Sequence, residues 1–445
     1  MNVRFAVVGG GISGLAVAHL LAARGHDVTL IDDAPAPGGL IGSARKSGFL
    51  CERGPQAVLD GPDETRALIE AAGLTARALP AMPAARRRFV RVGGALRPFP
   101  ASPPALIKTS LLSARGKLRL LAEPFIGRAA ADADESVVDF VARRFGREAA
   151  ERVAAPALIG VYAGDATKLS VRTALPRLAA LERAHGSILR GLRRARRAGG
   201  RGLGRPVSFP DGMGELPAAL ASALGGRRIV GRAEGLERAA AGWRVAIAGR
   251  ASVEAQRVVI ATPAAATAAL LAPHAPDAAT ALLEVPHAPV AVVCVGFHSA
   301  EGLGMDLDAY GFVVARGEDI ALLGCQYDTS VFPDRAPAGG VLLRALIGGS
   351  FAPALVDADD GALASLVIGD LQRAAGLARD PDFIDVWRAR PGIPQYDMAH
   401  AARIAAVDTA VAALPGLTVI GNALRGVGVN DCIRAATGVA ADHLR

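Results

Sequence analysis

The sequence predicts an α/β protein whose central domain is assembled from separate stretches of the chain. At each end, a short apolar strand pattern (residues 3–8 and 417–422) runs directly into a glycine-bearing turn. Strand and helix patterns alternate between residues 265 and 392, whereas residues 105–197 show only helical periodicity. A length of 445 residues corresponds to two or three domains of about 150 residues each. We therefore predict a discontinuous domain at 1–85, 205–265 and 395–445, a mixed α+β domain at 86–97 and 266–394, and a helical subdomain at 98–204.

The first strand and the turn after it form a dinucleotide-binding pattern. Residues 3–8 are mostly apolar, as in a central parallel strand, and Gly9, Gly11 and Gly14 then satisfy G-x-G-x-x-G at the start of a helix. A second strand ends in Asp32, which stands 21 positions after Gly11, close to the roughly 20 expected for the acid that binds a ribose. Glycines let the backbone approach a pyrophosphate, and the helix N-terminus offers N–H groups to it. The predicted cofactor residues here are Gly9, Gly10, Gly11, Ile12, Ser13, Gly14, Asp32 and Asp33.

The same pattern occurs in proteins that bind NAD and in proteins that bind FAD. The segment after Asp32 helps to decide between these two cofactors. Pro37-Gly38-Gly39-Leu40 follows the acid, and Cys51 to Ala57 comes soon after. A double glycine after the second strand resembles the extended fingerprint of FAD-containing oxidases of the amine-oxidase-like superfamily, which implies a cofactor role for Gly39. An ordinary Pro-Gly-Gly turn is the alternative.

Composition and motif content exclude several other classes. Hydrophobic residues at 51% and charged residues at 21% exclude a disordered or fibrous chain. Aromatic residues reach only 4%, which disfavours nucleic-acid binding, and we expect no metal site because histidine and cysteine show no ligand spacing. The P-loop and nucleophile-elbow motifs are also absent from the sequence.

Charge and cysteine usage indicate the partners and the compartment. A net charge of +8 suits an anionic surface or a carboxylate-bearing ligand. The four cysteines are far apart in the sequence, which suits a reducing cytoplasm. We expect no membrane-spanning helix, since no apolar run reaches about 18 residues, and the first residues lack the features of a signal peptide.

Further segments spread over the chain carry a more specific resemblance. They are Arg88 to Leu96 with Pro100 to Pro104, Gly160 to Asp165 with Leu169-Ser170, Leu323-Gly324 with Tyr327 and Phe332-Pro333, Ile393 to Tyr396 with His400, and Gly421-Asn422 with Gly426 to Ile433. Over essentially its full length the chain resembles the oxygen-dependent FAD enzymes that oxidise porphyrinogens in haem synthesis, the protoporphyrinogen oxidases and their coproporphyrinogen-oxidising relatives. Ala389, where relatives often have Trp, and Ala399, where they usually have Gly, depart from this family.

The resemblance implies a role for each domain and for named residues. The discontinuous domain binds FAD, the mixed domain binds substrate over the flavin, and the helical subdomain contacts membrane in several members. The residues implied to line FAD are Gly54, Pro55, Gln56, Ala57, Val427, Gly428 and Val429, with the backbone of Ala233 on the adenine side. Arg88 is implied to pair with a substrate propionate. The residues implied to lie against the macrocycle are Gly160, Val313, Leu323 and Leu346.

The activity implied by the resemblance is the six-electron oxidation of protoporphyrinogen IX to protoporphyrin IX, with three O2 consumed and H2O2 released. The same oxidation of coproporphyrinogen III is an alternative, and so is a non-catalytic flavin- or porphyrin-binding protein. The segment from Gly426 to Cys432 argues against an amine oxidase or a carotenoid-type desaturase. Peripheral contact with the inner face of the cell membrane and a homodimer stay open.

Overall fold

The computed structural model describes residues 3–100, 102–130, 134–197 and 204–442. The strands in these ranges are β1 (Arg4–Val8), β2 (Asp27–Asp32), β3 (Ser43–Lys46), β4 (Phe49–Glu52), β5 (Val58–Leu59), β6 (Leu79–Pro80), β7 (Arg88–Val92), β8 (Ala95–Pro98), β9 (Pro206–Ser208), β10 (Arg228–Val230), β11 (Ala233–Ala239), β12 (Gly242–Ile247), β13 (Arg250–Ala255), β14 (Arg257–Ile260), β15 (His287–Phe297), β16 (Gly311–Val314), β17 (Leu322–Tyr327), β18 (Val341–Gly348), β19 (Phe383–Pro394) and β20 (Leu417–Val419). The α-helices are α1 (Ile12–Ala23), α2 (Asp63–Ala71), α3 (Pro103–Lys108), α4 (Ala114–Leu121), α5 (Val137–Phe145), α6 (Arg147–Ala149), α7 (Ala155–Tyr162), α8 (Val171–Ala174), α9 (Pro176–His185), α10 (Ile188–Arg197), α11 (Glu215–Leu224), α12 (Ala264–Leu271), α13 (Pro276–Leu283), α14 (Asp328–Val331), α15 (Asp360–Ala375), α16 (His400–Ala412) and α17 (Val429–Asp442).

The first sheet collects strands from three distant parts of the chain. Its order is β10-β2-β1-β14-β20, and every neighbouring pair is parallel. Both faces are covered, by α1, α11 and α17 on one side and by α12, α13 and α16 on the other, which is why β1 is an almost continuous apolar run. The predicted discontinuous α/β arrangement is therefore present.

Helices α12 and α13 differ from the predicted layout. They lie in the stretch 266–394 that the sequence prediction gave to the mixed domain, yet they pack with Val8, Ile31 and Val258 of the first sheet. Both helices are built from alanine and leucine, and such residues do not indicate which sheet a helix will cover. The layer around the first sheet thus extends through residue 283.

The second sheet has the order β19-β15-β18-β17-β16-β7-β8. All neighbouring strands in this sheet are antiparallel except β16 and β7, which are parallel. The β7–β8 hairpin comes from an earlier part of the chain than the other strands. One face packs against α15 around Leu343, Ala345 and Ile347. The alternating residues Arg344 and Leu346 consequently point to the opposite face, where Leu346 packs near Ile159 of α7 and Arg344 donates to Gly54 O. Strands β11, β12 and β13 form a separate antiparallel sheet, in which the hairpin that the sequence pattern predicts from Trp243 to Val253 is extended by β11.

Helices α3 to α10 form the third layer, as the periodicity predicts. Phe140, Leu158 and Tyr162 lie in its core, and Tyr396 from the C-terminal part packs against them. Fully buried Arg144 pairs with Glu123, whose other oxygen accepts from Ser187. In the described ranges, no helix has the length and apolar character needed to cross a membrane. The stretch from Arg190 to Arg205 is strongly basic and Gly-rich, which predicts a solvated helix end and loop; α10 extends to Arg197, and residues 198–203 lie outside the described residues.

Candidate active site

The glycine turn after β1 is closed on one side and open on the other. A Cβ on Gly14 would overlap the carbonyl oxygen of Gly9, and one on Gly9, whose φ is +112°, would lie 2.6 Å from the carbonyl oxygen of Ala261. A Cβ on Gly11 would meet nothing within 4 Å. Gly11 is also the N-cap of α1, and no side chain among the described residues caps that helix. The turn therefore presents free backbone N–H groups to an open space, which suits a pyrophosphate.

Asp32, the predicted ribose-binding acid, lies directly beside this turn. A Cβ on Gly10 would overlap its carboxylate, so the acid lies directly against the glycine backbone. Arg228 on β10 places Nη2 3.5 Å from Oδ2 of Asp32, a contact that the sequence analysis did not foresee. Gly231 N–H donates to Asp32 O over 2.8 Å, and this brings the start of β11 at Ala233 to the same side. Asp33, in contrast, is exposed.

The double-glycine turn closes over the first turn. Gly38 N–H donates to Gly10 O over 2.8 Å, and a Cβ on Gly39, whose φ is +61°, would lie 3.2 Å from the Cα of Gly11. A Cβ on Gly54 would overlap the carbonyl oxygen of Leu40. The segment from Gly54 to Ala57 therefore begins directly against the double-glycine turn.

Contacts from behind fix the segment 54–57. Gly54 O accepts from Nη1 of Arg344 over 2.6 Å, and Nε2 of Gln56 donates to Oδ1 of Asp328 over 2.6 Å. The Gln56 side chain is buried, and its Oε1 has no hydrogen-bond partner among the described residues. Pro55 and Ala57 are half-buried.

The C-terminal turn reaches the same place. Asn430 bonds Leu59 through both of its amide atoms, with Oδ1 accepting over 3.0 Å and Nδ2 donating over 2.8 Å. This contact joins Asn430, directly after Val427, Gly428 and Val429, to β5, which follows the segment 54–57 in the chain, and Val427 also packs against the helical layer. These contacts link the predicted cofactor segments, and the open helix N-terminus at Gly11 with Asp32 beside it fits a dinucleotide.

Four of the five predicted substrate residues form an apolar wall next to this space. Leu323 and Leu346 pack together with Ile159 of α7. A Cβ on Gly160 would lie 3.6 Å from Cγ1 of Val313, so the bare helix surface at Gly160 faces the second sheet closely. We use the term apolar wall for Gly160, Val313, Leu323 and Leu346. Trp387 packs elsewhere, against Phe49 and Cys51, and does not fill the place of Ala389.

Arg88 lies at the edge of the apolar wall and differs from the neighbouring arginines. The register pairs Arg88 with Gly311 and Val90 with Val313, so Arg88 shares the sheet face of Val313. Arg87 pairs with Asp306 and Asp308, and Arg91 pairs with Glu318 and Asp319. No carboxylate of the described residues pairs with Arg88, and its Cζ lies 4.7 Å from the ring centroid of Tyr310. Arg88 is therefore a cation available to an anionic ligand.

A buried charge cluster supports the site from the far side. Burial raises the pKa of Asp328, an effect that Arg344 and Arg335 oppose. Burial also raises the pKa of Glu52 to about 7, although Ser43 and the Met213 N–H donate to its carboxylate. The sequence analysis missed this cluster, but a charged Arg344 inside the otherwise apolar β18 was a signal for it.

The fold and the site together define a flavoprotein, and sequence comparison identifies its family. The profile of the flavin containing amine oxidoreductase family matches residues 12–444, and the chain belongs to that family. The protein is accordingly an oxidoreductase with FAD as its cofactor, as predicted.

Individual relatives are similar over nearly the whole chain. A chloroplastic protoporphyrinogen oxidase from Oryza sativa subsp. japonica is 33% identical over 97% of this chain and 86% of its own. A coproporphyrinogen III oxidase from Bacillus subtilis (strain 168) is 28% identical over 98% of this chain and 97% of its own. A crystal structure from Exiguobacterium sp. 255-15, described as "Putative protoporphyrinogen oxidase", is 26% identical, covers 100% of this chain and 99% of that one, and has a TM-score of 0.83.

Proposed function

We propose that this protein oxidises protoporphyrinogen IX to protoporphyrin IX with molecular oxygen in haem biosynthesis. The observation that carries the proposal is the unpaired cation of Arg88 at the edge of an apolar wall. A porphyrinogen is an apolar macrocycle with propionate side chains. The macrocycle matches the apolar wall, and a propionate matches Arg88. The macrocycle loses six electrons and six protons, and three O2 take them up as three H2O2.

The chain's own residues bind and orient the substrate. The apolar wall excludes water from one face of the macrocycle, and the missing side chain at Gly160 lets the ring approach α7. Arg88 offers two parallel N–H donors to a propionate, a geometry that suits guanidinium and carboxylate. When bound, FAD would accept a hydride from the substrate and pass the electrons to oxygen. Asp328 and Arg344 hold the segment 54–57 from behind rather than contact substrate.

Oxidation of coproporphyrinogen III is the second candidate, supported by the similarity to the Bacillus subtilis enzyme. Both substrates are compared by incubating the FAD-loaded protein aerobically with each porphyrinogen and following porphyrin fluorescence against an enzyme-free blank. We expect faster turnover of protoporphyrinogen IX. A preference for coproporphyrinogen III keeps the mechanism and changes the substrate.

Peroxide release distinguishes an enzyme from a non-catalytic porphyrin-binding protein. Three H2O2 per porphyrin formed are expected and can be measured with a peroxidase-coupled dye. Porphyrin binding without peroxide or fluorescence increase would contradict the proposed reaction.

Peripheral membrane contact is proposed for the helical layer. Leu118, Leu121 and Phe125 are 68%, 49% and 85% exposed, and Arg115 and Lys117 lie beside them in the sequence. An exposed apolar cluster next to cations suits an anionic bilayer surface. We expect sedimentation with phosphatidylglycerol vesicles, and loss of it in Phe125→Ser. Equal sedimentation of both proteins would contradict this contact. The homodimer and the cytoplasmic location stay predictions.

A further inference from the structure

We propose that Tyr310 is a positioning residue that holds the guanidinium of Arg88 ready for a substrate carboxylate. The inference rests on the proposed function, because it concerns the residue that would bind the propionate. It assigns a role to a residue that the sequence analysis did not single out.

The backbone of Tyr310 is fixed by the strands on both sides. Its N–H donates to Arg87 O over 2.7 Å, and its carbonyl accepts from Tyr327 N–H over 2.9 Å. Its ring packs against Ala85, Val331 and Phe332. The ring is therefore a rigid platform at the edge of the second sheet.

Arg88 lies over this platform. Its Cζ is 4.7 Å from the ring centroid, within the roughly 6 Å range of a cation–π contact. The two residues are also close along the backbone, because Gly311, the residue after Tyr310, is the register partner of Arg88. Tyr310 thus restricts the orientations of a long side chain that would otherwise be free in solvent.

An aromatic ring is well suited to this task because it does not neutralise the cation. Arg87 and Arg91 are held by carboxylates, and those carboxylates occupy the N–H donors that a ligand would need. The Tyr310 hydroxyl is neutral at pH 7, and burial moves its pKa further above that pH. The N–H edges of Arg88 consequently remain available for a propionate.

The test varies the charge distribution of the ring while keeping its size. Phenylalanine and phenylalanines with one, two and three ring fluorines are placed at position 310 of the FAD-loaded protein, because fluorination weakens a cation–π contact stepwise. The same series at Phe312 is the matched control, since Phe312 is only two residues away on β16 but packs into the core that α15 covers, away from Arg88. The readouts are KM and kcat for protoporphyrinogen IX and, independently of turnover, Kd for protoporphyrin IX from fluorescence quenching.

We expect KM and Kd to increase with each fluorine at 310, by about 3- to 10-fold across the series, with kcat within about 2-fold. The series at 312 should leave both constants unchanged. In an Arg88→Ala background, the dependence on fluorination at 310 should disappear, because the coupled partner is missing. Unchanged FAD content and Tm across the series confirm that the variants are folded.

Three outcomes would overturn the inference: constants that do not change with fluorination at 310, a dependence that persists in Arg88→Ala, or no binding of protoporphyrin IX to the wild type. Binding with the expected dependence but without porphyrinogen turnover would instead contradict the proposed function and leave the Arg88–Tyr310 coupling supported.

Discussion

Arg88 shows how strongly the role of one residue depends on its partners. Arg86, Arg87 and Arg88 are consecutive in the sequence, and an exposed hairpin cation is a reasonable expectation for each. In the structure, Arg87 is neutralised by two carboxylates, while Arg88 is stacked on a ring with its N–H edges free.

Replacing Arg88 with Ala should raise KM for protoporphyrinogen IX about 10- to 100-fold, since a hydrogen bond to a charged group contributes about 1.5–3 kcal/mol. FAD content should not change, because Arg88 lies on the second sheet and not in the three cofactor segments. Arg87→Ala is the matched control and should leave KM within about 2-fold. Steady-state kinetics measure both variants, and an unchanged KM in Arg88→Ala would remove this residue from the site.

Glu52 predicts a pH dependence of stability at the residue scale. Its pKa is raised from 4.5 to about 7 in the folded protein because the carboxyl is buried. Between these two pH values the folded state binds a proton that the unfolded state has lost, so stability falls as pH rises through this window, by about 3 kcal/mol in total. Glu52→Gln should remove this loss.

Urea unfolding at pH 5 and pH 8 tests this prediction. The wild type should lose more free energy of unfolding than Glu52→Gln between the two pH values. Other groups titrate in both proteins, so their effects cancel in the comparison. Equal losses would show that burial of Glu52 is offset by its Ser43, Met213 and arginine neighbours.

At the scale of the element, different glycines of the turn between β1 and α1 serve folding and cofactor binding. Gly14 allows the first turn of α1 to pass the Gly9 carbonyl, so its glycine is required by the fold. Gly11 faces open space, so the fold itself would accept a side chain there, and glycine is needed only to let a ligand approach the turn.

The variants Gly14→Ala and Gly11→Ala should therefore behave differently. We expect Gly14→Ala to lower the Tm of the apoprotein, since a Cβ at that position overlaps backbone. Gly11→Ala should leave apoprotein Tm unchanged and weaken FAD binding at least about tenfold, because a methyl group at the helix N-terminus obstructs the pyrophosphate. Thermal denaturation and FAD titration by fluorescence provide the two measurements. Equal FAD affinity of Gly11→Ala and wild type would place the pyrophosphate elsewhere.

At the scale of the whole molecule, the candidate cofactor site combines distant segments. It is predicted to consist of the turn at 9–14, the segment 54–57 and the turn at 427–429, and Arg344 of the second sheet holds the second of these through Gly54. Because these segments come together only when the chain folds, FAD binds the folded state and not the unfolded state.

We therefore expect FAD to stabilise the whole protein, by about 2.7 kcal/mol at a free concentration of one hundred times Kd. Riboflavin, which lacks the pyrophosphate and adenosine, is the control and should stabilise less. Denaturant unfolding with each ligand measures the difference. Equal stabilisation by both would show that the glycine turn and Asp32 do not contribute.

The sequence by itself determined the local chemistry of this protein. The glycine turn, the acid at the end of β2, the strands of both sheets and the helical layer follow from patterns that span about 20 residues or fewer, within which periodicity and turn residues act directly. The resemblance of several such segments also predicted which residues bind the cofactor and which form the apolar wall.

Only the tertiary structure decided which of these groups are free and which are paired. Arg87 is separated from Asp306 and Asp308 by 219 and 221 residues, and Gln56 from Asp328 by 272, so no local pattern could assign these pairs. The packing of α12 and α13 on the first sheet was likewise undetermined, because small apolar residues fit either layer. The free cation, its aromatic platform and the buried cluster behind the segment 54–57 result from long-range pairing, which depends on the fold as a whole.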